Sequence, residues 1–349
     1  MVNKEIKVIK DIIQEKVNLQ TVLFTSGDKG YNYPFLSGKV KQGDEVLVNT
    51  TAVDLKLGTG GYHFVIAKYP FEKEKKKSKG HIMKLRYTPL QFKTYPIEEQ
   101  LGKQLDYISL KGTIVITAEL HSMLAPIVLS LKKLNAKVKV AYVMTDSGSL
   151  SATHSNSVTL LKKHKLIEGV ITSGHSFGGD LEAINPISGI QGAKIAYDAD
   201  VIVVSMGPGI VGTGTQFGFT GIEQSYLSDL AQNIGCTVYP AIRLSFIDSR
   251  KRHRGLSHHY LTNFGYLCNG RFDIVLPKMA RKKTKFVLSQ IKKHNISKKH
   301  HLNIANGVNI SDISKEFQIP LSSMGKGYDE NRDFFNGLTS LGRYVSSFY

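Results

Sequence analysis

From about residue 96 onward, short apolar runs alternate with helical patterns, and this rhythm constrains the fold more than any other feature of the sequence. The apolar runs are rich in Val and Ile, as in G-T-I-V-I-T-A and A-D-V-I-V-V-S-M. Near-continuous apolar strands are buried on both faces, and strands that alternate with helices form mostly parallel sheets. Residues 96–349 are therefore predicted to form a Rossmann-like α/β domain, with helices on both faces of a mostly parallel sheet and a C-terminal helical extension.

The first 95 residues follow a different pattern. Short β-branched runs stand between glycine and proline residues, as in V-L-F-T-S and K-V-K-Q-G-D-E-V-L-V. The second of these runs has the form of a strand, a turn with glycine and another strand. Such hairpins are common in small all-β folds, so we expect residues 1–95 to form a small β-barrel or sandwich domain.

The charge of the chain constrains its partners. Lys and Arg number 46 against 28 Asp and Glu, which gives a formal net charge of +18. This excess attracts polyanions, so we expect a phosphate-bearing small molecule or a nucleic acid as partner. A membrane partner is not expected, because no apolar run approaches the ~18–20 residues that a membrane span needs. Two cysteines and an N-terminus without an apolar signal core favour a cytoplasmic location.

Polar segments follow the predicted strands at the points where the strands end. Asp146 follows the second strand, His175 the third, and the run S-R-K-R-H-R-G-L-S-H-H, from Ser249 to His259, the fifth. Open α/β sheets bind ligands outside the carboxyl ends of their strands, so we expect these loops to converge on one site. Within it, the candidates for acid–base catalysis are His175, His258 and Asp146.

The same loops carry residues that bind metals. Neutral imidazoles and carboxylates are good ligands for zinc or manganese, and a bound ion would generate hydroxide from its water at neutral pH. The sequence has no H-E-x-x-H motif and no C-x-x-C pair to fix the ligand set. We expect a divalent metal, zinc or manganese, with ligands from His175, Asp180, His253, His258 and His259.

An anion site is the alternative interpretation of these loops. The guanidinium groups of Arg252 and Arg254 suit phosphate, and so do the backbone N–H groups of a glycine-rich loop. The glycines in question are Gly207, Gly209, Gly212 and Gly214. Gly207, Gly209 and Gly212 have G-x-G-x-x-G spacing, but this does not favour a dinucleotide site, because T-G-T-Q-F-G-F-T-G intervenes before the next helix. G-H-S-F-G is a formal G-x-S-x-G match, but two glycines and a proline near it disfavour the long helix of a serine hydrolase.

Five long motifs carry a resemblance to a known family. They are V-N-T-T-A-V-D-L-K-L-G-T-G-G-Y-H-F-V, G-H-I-M-K-L-R-Y-T-P-L-Q, G-H-S-F-G-G-D-L-E-A-I-N, M-G-P-G-I-V-G-T-G-T and R-H-R-G-L-S-H-H. Together they resemble an uncharacterised bacterial domain-of-unknown-function family of about 350 residues, over roughly residues 20–340 of this chain. The resemblance implies one shared site and no particular activity. The family's D-G-G-A-L-P motif is matched at Asp146 and Gly148, whereas Ser147 and Ser151 depart from it.

These features lead to one main functional hypothesis and two alternatives. The main hypothesis is a metal-dependent hydrolase that acts on a phosphate-bearing substrate, a nucleotide or a nucleic acid, at the carboxyl ends of the strands. One alternative is a non-catalytic RNA- or ribosome-associated binding protein. The other is a nucleotide sensor that uses the same crevice without turnover.

Overall fold

A computed structural model describes residues 2–56, 60–70 and 79–349 of the chain. The chain divides into two compact units, Met1–Thr94 and Tyr95–Tyr349. Residues 57–59, in the middle of the first of the five motifs, lie outside the described residues. Among the described residues, no helix has both the length and the apolar character that crossing a membrane requires.

The first unit contains a closed five-stranded barrel. Its strands are β1 (Lys4–Lys16), β2 (Leu19–Phe24), β3 (Lys29–Asn32), β4 (Glu45–Asn49) and β5 (Tyr62–Tyr69), in the order β1-β2-β3-β5-β4. Two short helices, α1 (Pro34–Ser37) and α2 (Thr51–Asp54), and a hairpin of β6 (Ile82–Lys84) and β7 (Phe92–Thr94) complete the described part. Alternate residues such as Val46 and Val48 fill the interior. This confirms the prediction of a small barrel or sandwich.

One predicted strand of this unit is wrong. The run K-V-K-Q-G-D-E-V-L-V contains one strand, β4, and its first half is a loop. The backbone N–H of Val40 donates to the side-chain oxygen of Gln20 at 3.0 Å, and the side chain of Gln20 donates back to the carbonyl of Val40. A buried side chain therefore takes the place of a neighbouring strand, which alternation of residue types cannot reveal.

The second unit is built on a six-stranded parallel sheet, as the sequence predicts. Its strands are β8 (Ile114–Ala118), β9 (Val140–Thr145), β10 (Gly169–Ser173), β11 (Leu181–Ala183), β12 (Val201–Met206) and β13 (Thr237–Pro240). The connecting segments contain α3 (Ile97–Leu101) and α4 (Gln104–Tyr107), which precede β8, then α5 (Leu124–Leu134), α6 (Asn156–Lys163), α7 (Pro186–Tyr197) and α8 (Glu223–Asn233). Both faces of the sheet are covered: Ile116 packs in one apolar cluster and Val115 in the other.

The strand order locates the crevice of this sheet. The order is β11-β10-β9-β12-β8-β13, which differs from the order 3-2-1-4-5-6 of the dinucleotide-binding fold. The chain leaves β9 toward β10 on one side and leaves β12 toward β13 on the other. Neighbouring strands whose connections run in opposite directions leave an opening between their loops. The loops that follow β9 and β12 therefore border the crevice.

The last hundred residues add smaller elements around the sheet. In chain order they are β14 (Leu244–Ser245), β15 (Gly255–Leu256), α9 (His258–Thr262), β16 (Asp273–Pro277), α10 (Arg281–Lys293), α11 (Ile296–Lys299), β17 (His301–Ala305), α12 (Ser311–Glu316), β18 (Ser322–Ser323), β19 (Lys326–Gly327) and α13 (Arg332–Ser346). β16 and β17 form a separate parallel pair. The predicted helical extension is therefore interrupted by short strands.

Candidate metal centre

Three histidines of the loop after β13 come together. β14 pairs antiparallel with β15, and this pairing closes the intervening loop so that His253 lies beside the start of α9. His258 and His259 are the first two residues of that helix, and the side-chain oxygen of Ser257 caps it by accepting from the backbone N–H of His259. One ring nitrogen from each of His253, His258 and His259 lies within 4.8 Å of the others. We call these three residues the histidine trio.

Hydrogen bonds at Nδ1 orient two of the three rings. His253 Nδ1 lies 2.9 Å from Ser257 Oγ, and His259 Nδ1 lies 3.5 Å from Glu119 Oε1 and 3.4 Å from Arg243 Nη1. Because a guanidinium cannot accept a hydrogen bond, we assign the Nδ1 proton of His259 to the carboxylate. Both rings therefore keep Nε2 available. His258 Nε2 is buried and has no hydrogen-bond partner among the described residues. Histidines that bind metals commonly use one ring nitrogen for the metal and the other for a carboxylate, hydroxyl or carbonyl.

A buried ion pair contacts the ring of His259. Arg243 Nη1 donates to Glu119 Oε1 at 2.9 Å, and the two side chains are 6% and 0% exposed. Burial raises the pKa of the Glu119 carboxyl, but its hydrogen bond with His259 and the charge of Arg243 outweigh burial and hold that pKa below its ordinary value. Glu119 is therefore ionised at neutral pH, and it can hold the Nδ1 proton of His259 on the side away from the trio.

Two members of the trio are neutral at physiological pH. Burial, followed by the charges of Arg243 and Arg250, lowers the pKa of His253 to about 3. Burial, followed by the neighbouring His259 and Arg252, lowers the pKa of His258 to about 4. The neutral imidazole is the form that binds metals, because only it has a free lone pair.

The spacing of the trio is compatible with one divalent ion. A tetrahedral zinc with Zn–N bonds of about 2.0–2.1 Å sets its ligand nitrogens roughly 3.4 Å apart. Nitrogens that are at most 4.8 Å apart reach this spacing by small rotations of the rings. Three nitrogen ligands leave a fourth position for water or substrate, which is the arrangement of catalytic rather than structural zinc sites.

Part of the glycine-rich loop after β12 lies beside the trio. A Cβ added at Gly212 would lie 3.7 Å from His259 Nε2, and one at Gly214 would lie 3.4 Å from Arg252 Nη1. Phe219, at the end of this loop, stacks on the ring of His259 with 3.9 Å between centroids. Gly212, Gly214 and Arg252 are therefore the predicted phosphate-binding residues that the structure brings to the trio.

The other predicted phosphate-binding residues lie elsewhere. A Cβ at Gly207 would lie 2.2 Å from the carbonyl oxygen of Ser149, so this glycine serves the close packing of two loops. Gly209 has a φ of +102° and lines a separate cavity of about 540 Å³ with His121 and Ser155. Arg254 has an exposed side chain, and its carbonyl accepts from the side chain of Gln290.

Asp146 and His175 form a second structure at the carboxyl edge of the sheet. Asp146 Oδ2 accepts from the backbone N–H of His175 at 2.9 Å, and a Cβ at the intervening Gly174 would lie 2.3 Å from the same oxygen. The carboxylate of Asp146 therefore holds the turn that follows β10. Neither residue belongs to the group of close ligand atoms that the trio forms among the described residues.

Asp180 lies away from the carboxyl edge, which corrects its expected position. It immediately precedes β11, a short strand in the segment predicted as the loop after β10. Its backbone N–H and carboxylate both bond the backbone of Val170, near the start of β10, and its side chain also pairs with Lys162. Because β11 runs parallel to β10, the chain must first return to the amino end of the sheet. At the amino end of the sheet, Asp180 has a structural role and does not lie beside the trio.

Two buried charged residues of this region were not predicted as site residues. Arg243 stands inside the apolar run Y-P-A-I-R-L-S-F, and a cation in such a run is a signal that it is buried with a partner. Glu223, at the start of α8, accepts from Thr145 at 2.6 Å and from Ser147 at 2.5 Å, and burial raises its pKa. Its signal is weaker, because a glutamate in the first turn of a helix is common.

The fold and the site define an α/β protein with a helix-flanked parallel sheet and a candidate metal centre beside its crevice. The family model described as "Protein of unknown function (DUF3866)" matches residues 29–342, and the chain belongs to this family. The resemblance found in the sequence motifs is thereby confirmed. No curated protein matches the chain.

Proposed function

We propose that this protein is a metal-dependent hydrolase that acts on a phosphate-bearing substrate, and that zinc or manganese binds to the histidine trio. One observation carries the proposal: a ring nitrogen from each of the three histidines lies within 4.8 Å of the others. The contacts at Nδ1 of His253 and His259 leave their Nε2 atoms available, and Nε2 of His258 has no hydrogen-bond partner among the described residues. Three imidazoles, two of them oriented by contacts at Nδ1, form a donor set that suits zinc or manganese.

Each residue around the trio has a defined part in this proposal. When bound, the ion lowers the pKa of a water molecule and supplies hydroxide near neutral pH. Glu119 fixes the tautomer and orientation of His259, and Arg243 compensates the buried charge of Glu119. Phe219 covers one face of the His259 ring and excludes water from it. Arg252 and the backbone N–H groups around Gly212 and Gly214 hold a phosphate beside the ion.

Hydrolysis of chromogenic esters tests the proposal. The full chain, stripped with chelator and reloaded with zinc or manganese, is assayed with bis(p-nitrophenyl) phosphate and with p-nitrophenyl phosphate. These substrates separate diester from monoester hydrolysis. We expect metal-dependent turnover that falls roughly a hundredfold or more in His258→Ala, with little change in the melting temperature. His301→Ala removes an exposed histidine and serves as the control. A rate that is independent of metal and equal in His258→Ala would exclude the proposal.

A nucleic-acid-binding function without turnover is the second candidate, and α10 favours it. Residues 278–301 contain nine Lys or Arg and no Asp or Glu. On α10 the exposed cations are Arg281, Lys282, Lys285, Lys292 and Lys293. Such a surface binds a phosphate backbone with an affinity that falls steeply with salt. RNA binding that weakens with salt, is unchanged in His258→Ala and occurs without hydrolysis would replace the first candidate by this one.

A nucleotide sensor is the remaining alternative, and the same preparations test it. A sensor would show saturable stabilisation by a nucleotide, measured as a rise in melting temperature. It would form no product after prolonged incubation with the metal-loaded protein. Stabilisation accompanied by metal-dependent product formation supports the hydrolase instead.

A further inference from the structure

Arg243 also lines a cavity of about 500 Å³ whose lining includes none of the three histidines. The loop between β14 and β15 forms part of its wall, and the β18–β19 hairpin and the start of α13 form the rest. The polar lining includes Arg243, Ser245, Asp248, Arg250, Lys326 and Asn331. Volumes of roughly 300–1,000 Å³ are typical of sites for small organic molecules.

Arg243 has hydrogen-bonding capacity that the protein does not use. Its partners among the described residues, Glu119 and the ring of His259, both contact Nη1. Nε and Nη2 have no hydrogen-bond partner among the described residues, yet they are not among the side-chain atoms that are sealed from solvent. Because the residue is only 5% exposed, the cavity is where these donors meet solvent. Buried guanidinium donors without partners are costly unless a ligand or water satisfies them.

Each cation that lines the cavity has an acidic partner, so the preference for an anion comes from the free N–H donors of Arg243 and not from net charge. Three cations line the cavity against one acid, Asp248. Arg250 binds Asp248 through two nitrogens, at 3.0 and 2.9 Å, and this hydrogen-bonded pair lowers the pKa of Asp248 to about 2. From outside the lining, Glu119 pairs with Arg243 and Glu330 with Lys326.

The remaining wall offers one more donor and an apolar surface. Asn331 accepts from Ser245 through its side-chain oxygen, so its amide nitrogen remains able to donate. Phe334, Ile247 and Met324 provide apolar contacts for the rest of a ligand. A molecule that carries an oxyanion at one end and an apolar or aromatic part at the other would satisfy both halves of the cavity.

We propose that this cavity is a binding site for a small molecule that carries a phosphate or carboxylate group, with the oxyanion held by the free donors of Arg243. The geometry separates it from the metal position, because Arg243 contacts Nδ1 of His259 whereas the metal would bind Nε2. The site goes beyond the proposed hydrolysis, since binding of the anion requires no metal. A ligand in this cavity would contact Arg243, which also pairs with Glu119 beside His259. The two sites therefore share Arg243.

Calorimetric titration of the chelator-treated full chain tests this site. Adenosine monophosphate and citrate are the probes, and they distinguish a phosphate from a carboxylate as the preferred oxyanion. We expect saturable binding of at least one probe. Absence of saturation by both up to about 10 mM would overturn the proposal, because a site with useful affinity saturates in that range.

A matched pair of serine variants locates the binding. Ser249 is exposed and lines the cavity, so Ser249→Trp should fill its mouth and weaken binding by roughly tenfold or more. Ser289 is an exposed serine on α10 outside the lining, and Ser289→Trp should leave binding unchanged. Equal affinity in the two variants would place the ligand elsewhere and overturn the proposal.

Two further variants test the chemistry. Arg243→Lys keeps the charge but loses the forked donors, and we expect roughly tenfold weaker binding. Lys326→Met should weaken binding severalfold, whereas Lys137→Met, which removes an exposed cation between α5 and β9 and outside the lining, should not. His258→Ala should keep the affinity for the anion. If His258→Ala loses the metal but keeps its affinity for the anion, the two sites are independent. The metal proposal and the anion proposal can then fail separately.

Discussion

The carboxylate of Glu119 and the guanidinium of Arg243 form a buried ion pair, with 2.9 Å between Oε1 and Nη1, and Nδ1 of His259 contacts both. Glu119 immediately follows β8, and Arg243 immediately precedes β14. The pair thus links the end of an interior strand of the sheet to the segment that carries the histidine trio. It therefore holds the candidate metal centre in position against the parallel sheet.

Removal of one partner of this pair should destabilise the protein strongly. Glu119→Ala leaves the charge of Arg243 buried without its carboxylate, and we expect a loss of about 3–5 kcal/mol in the free energy of unfolding. Urea denaturation measures it. The double variant Glu119→Ala/Arg243→Met removes both charges and should recover part of the loss. A single variant as stable as the original protein would contradict the burial of this pair.

The stability of the metal-free protein should fall as the pH is lowered from neutral. The folded protein keeps His253 and His258 neutral down to pKa values of about 3 and about 4, whereas the unfolded chain takes up protons near the ordinary value of 6.5. Between these values the unfolded state binds more protons, so the free energy of unfolding decreases as the pH falls. Urea denaturation across this window, in the presence of chelator, checks the expectation.

Variants assign this pH dependence to particular rings. His258→Asn removes one titrating group and should flatten the decrease between pH 6.5 and about 4. His301→Gln, which changes an exposed histidine, should leave the decrease as it is. An identical pH profile in His258→Asn and the original protein would show that His258 is not held neutral by the fold.

Two glycines of the loop after β12 should differ in their tolerance of alanine. A Cβ at Gly207 would meet the backbone of Ser149 at 2.2 Å, so Gly207→Ala must push two loops apart and should cost about 1–3 kcal/mol of stability. Gly212 has room, since the nearest atom to its Cβ lies 3.5 Å away. Gly212→Ala should therefore change the unfolding free energy little. Equal stability of the two variants would contradict the close packing of Gly207 against Ser149.

Asp180 should be dispensable for the metal. Its carboxylate bonds the backbone of Val170 and the side chain of Lys162. Asp180→Asn should lower the melting temperature modestly, because the ion pair and one hydrogen bond are weakened. The zinc content of the variant, measured after loading and dialysis, should match that of the original protein. A lower zinc content would restore Asp180 as a candidate ligand.

The parts of the fold that depend on local pattern were predictable from the sequence. The Val- and Ile-rich runs became β8, β9, β10 and β12, since a strand buried on both faces needs apolar residues at every position. β11 was not recognised because it has three residues, too few for a pattern. Without β11, Asp180 was expected at the carboxyl end of the sheet. In the structure the chain returns to the amino end before β11, and Asp180 lies there.

The candidate site was predictable only in part. The basic loop after the fifth strand was expected at a site, and its histidines do meet one another. The sequence could not show that His175 lies apart from these histidines. A position after a strand predicts the edge of the sheet on which a residue lies, but not its distance from the other residues at that edge. Arg243 was missed since it stands in an apolar run, where its partner Glu119 lies 124 residues away in the sequence. Long-range ion pairs of this kind leave no local pattern.

Metal content is the most direct test of the central claim that His253, His258 and His259 bind one divalent ion. The untagged full chain is loaded with zinc, dialysed and analysed for metal by mass spectrometry, beside His258→Ala and the control His301→Ala. The account predicts about one ion per chain in the original protein and the control, and a large loss in His258→Ala. No retained metal in the original protein, or equal content in His258→Ala, would contradict it.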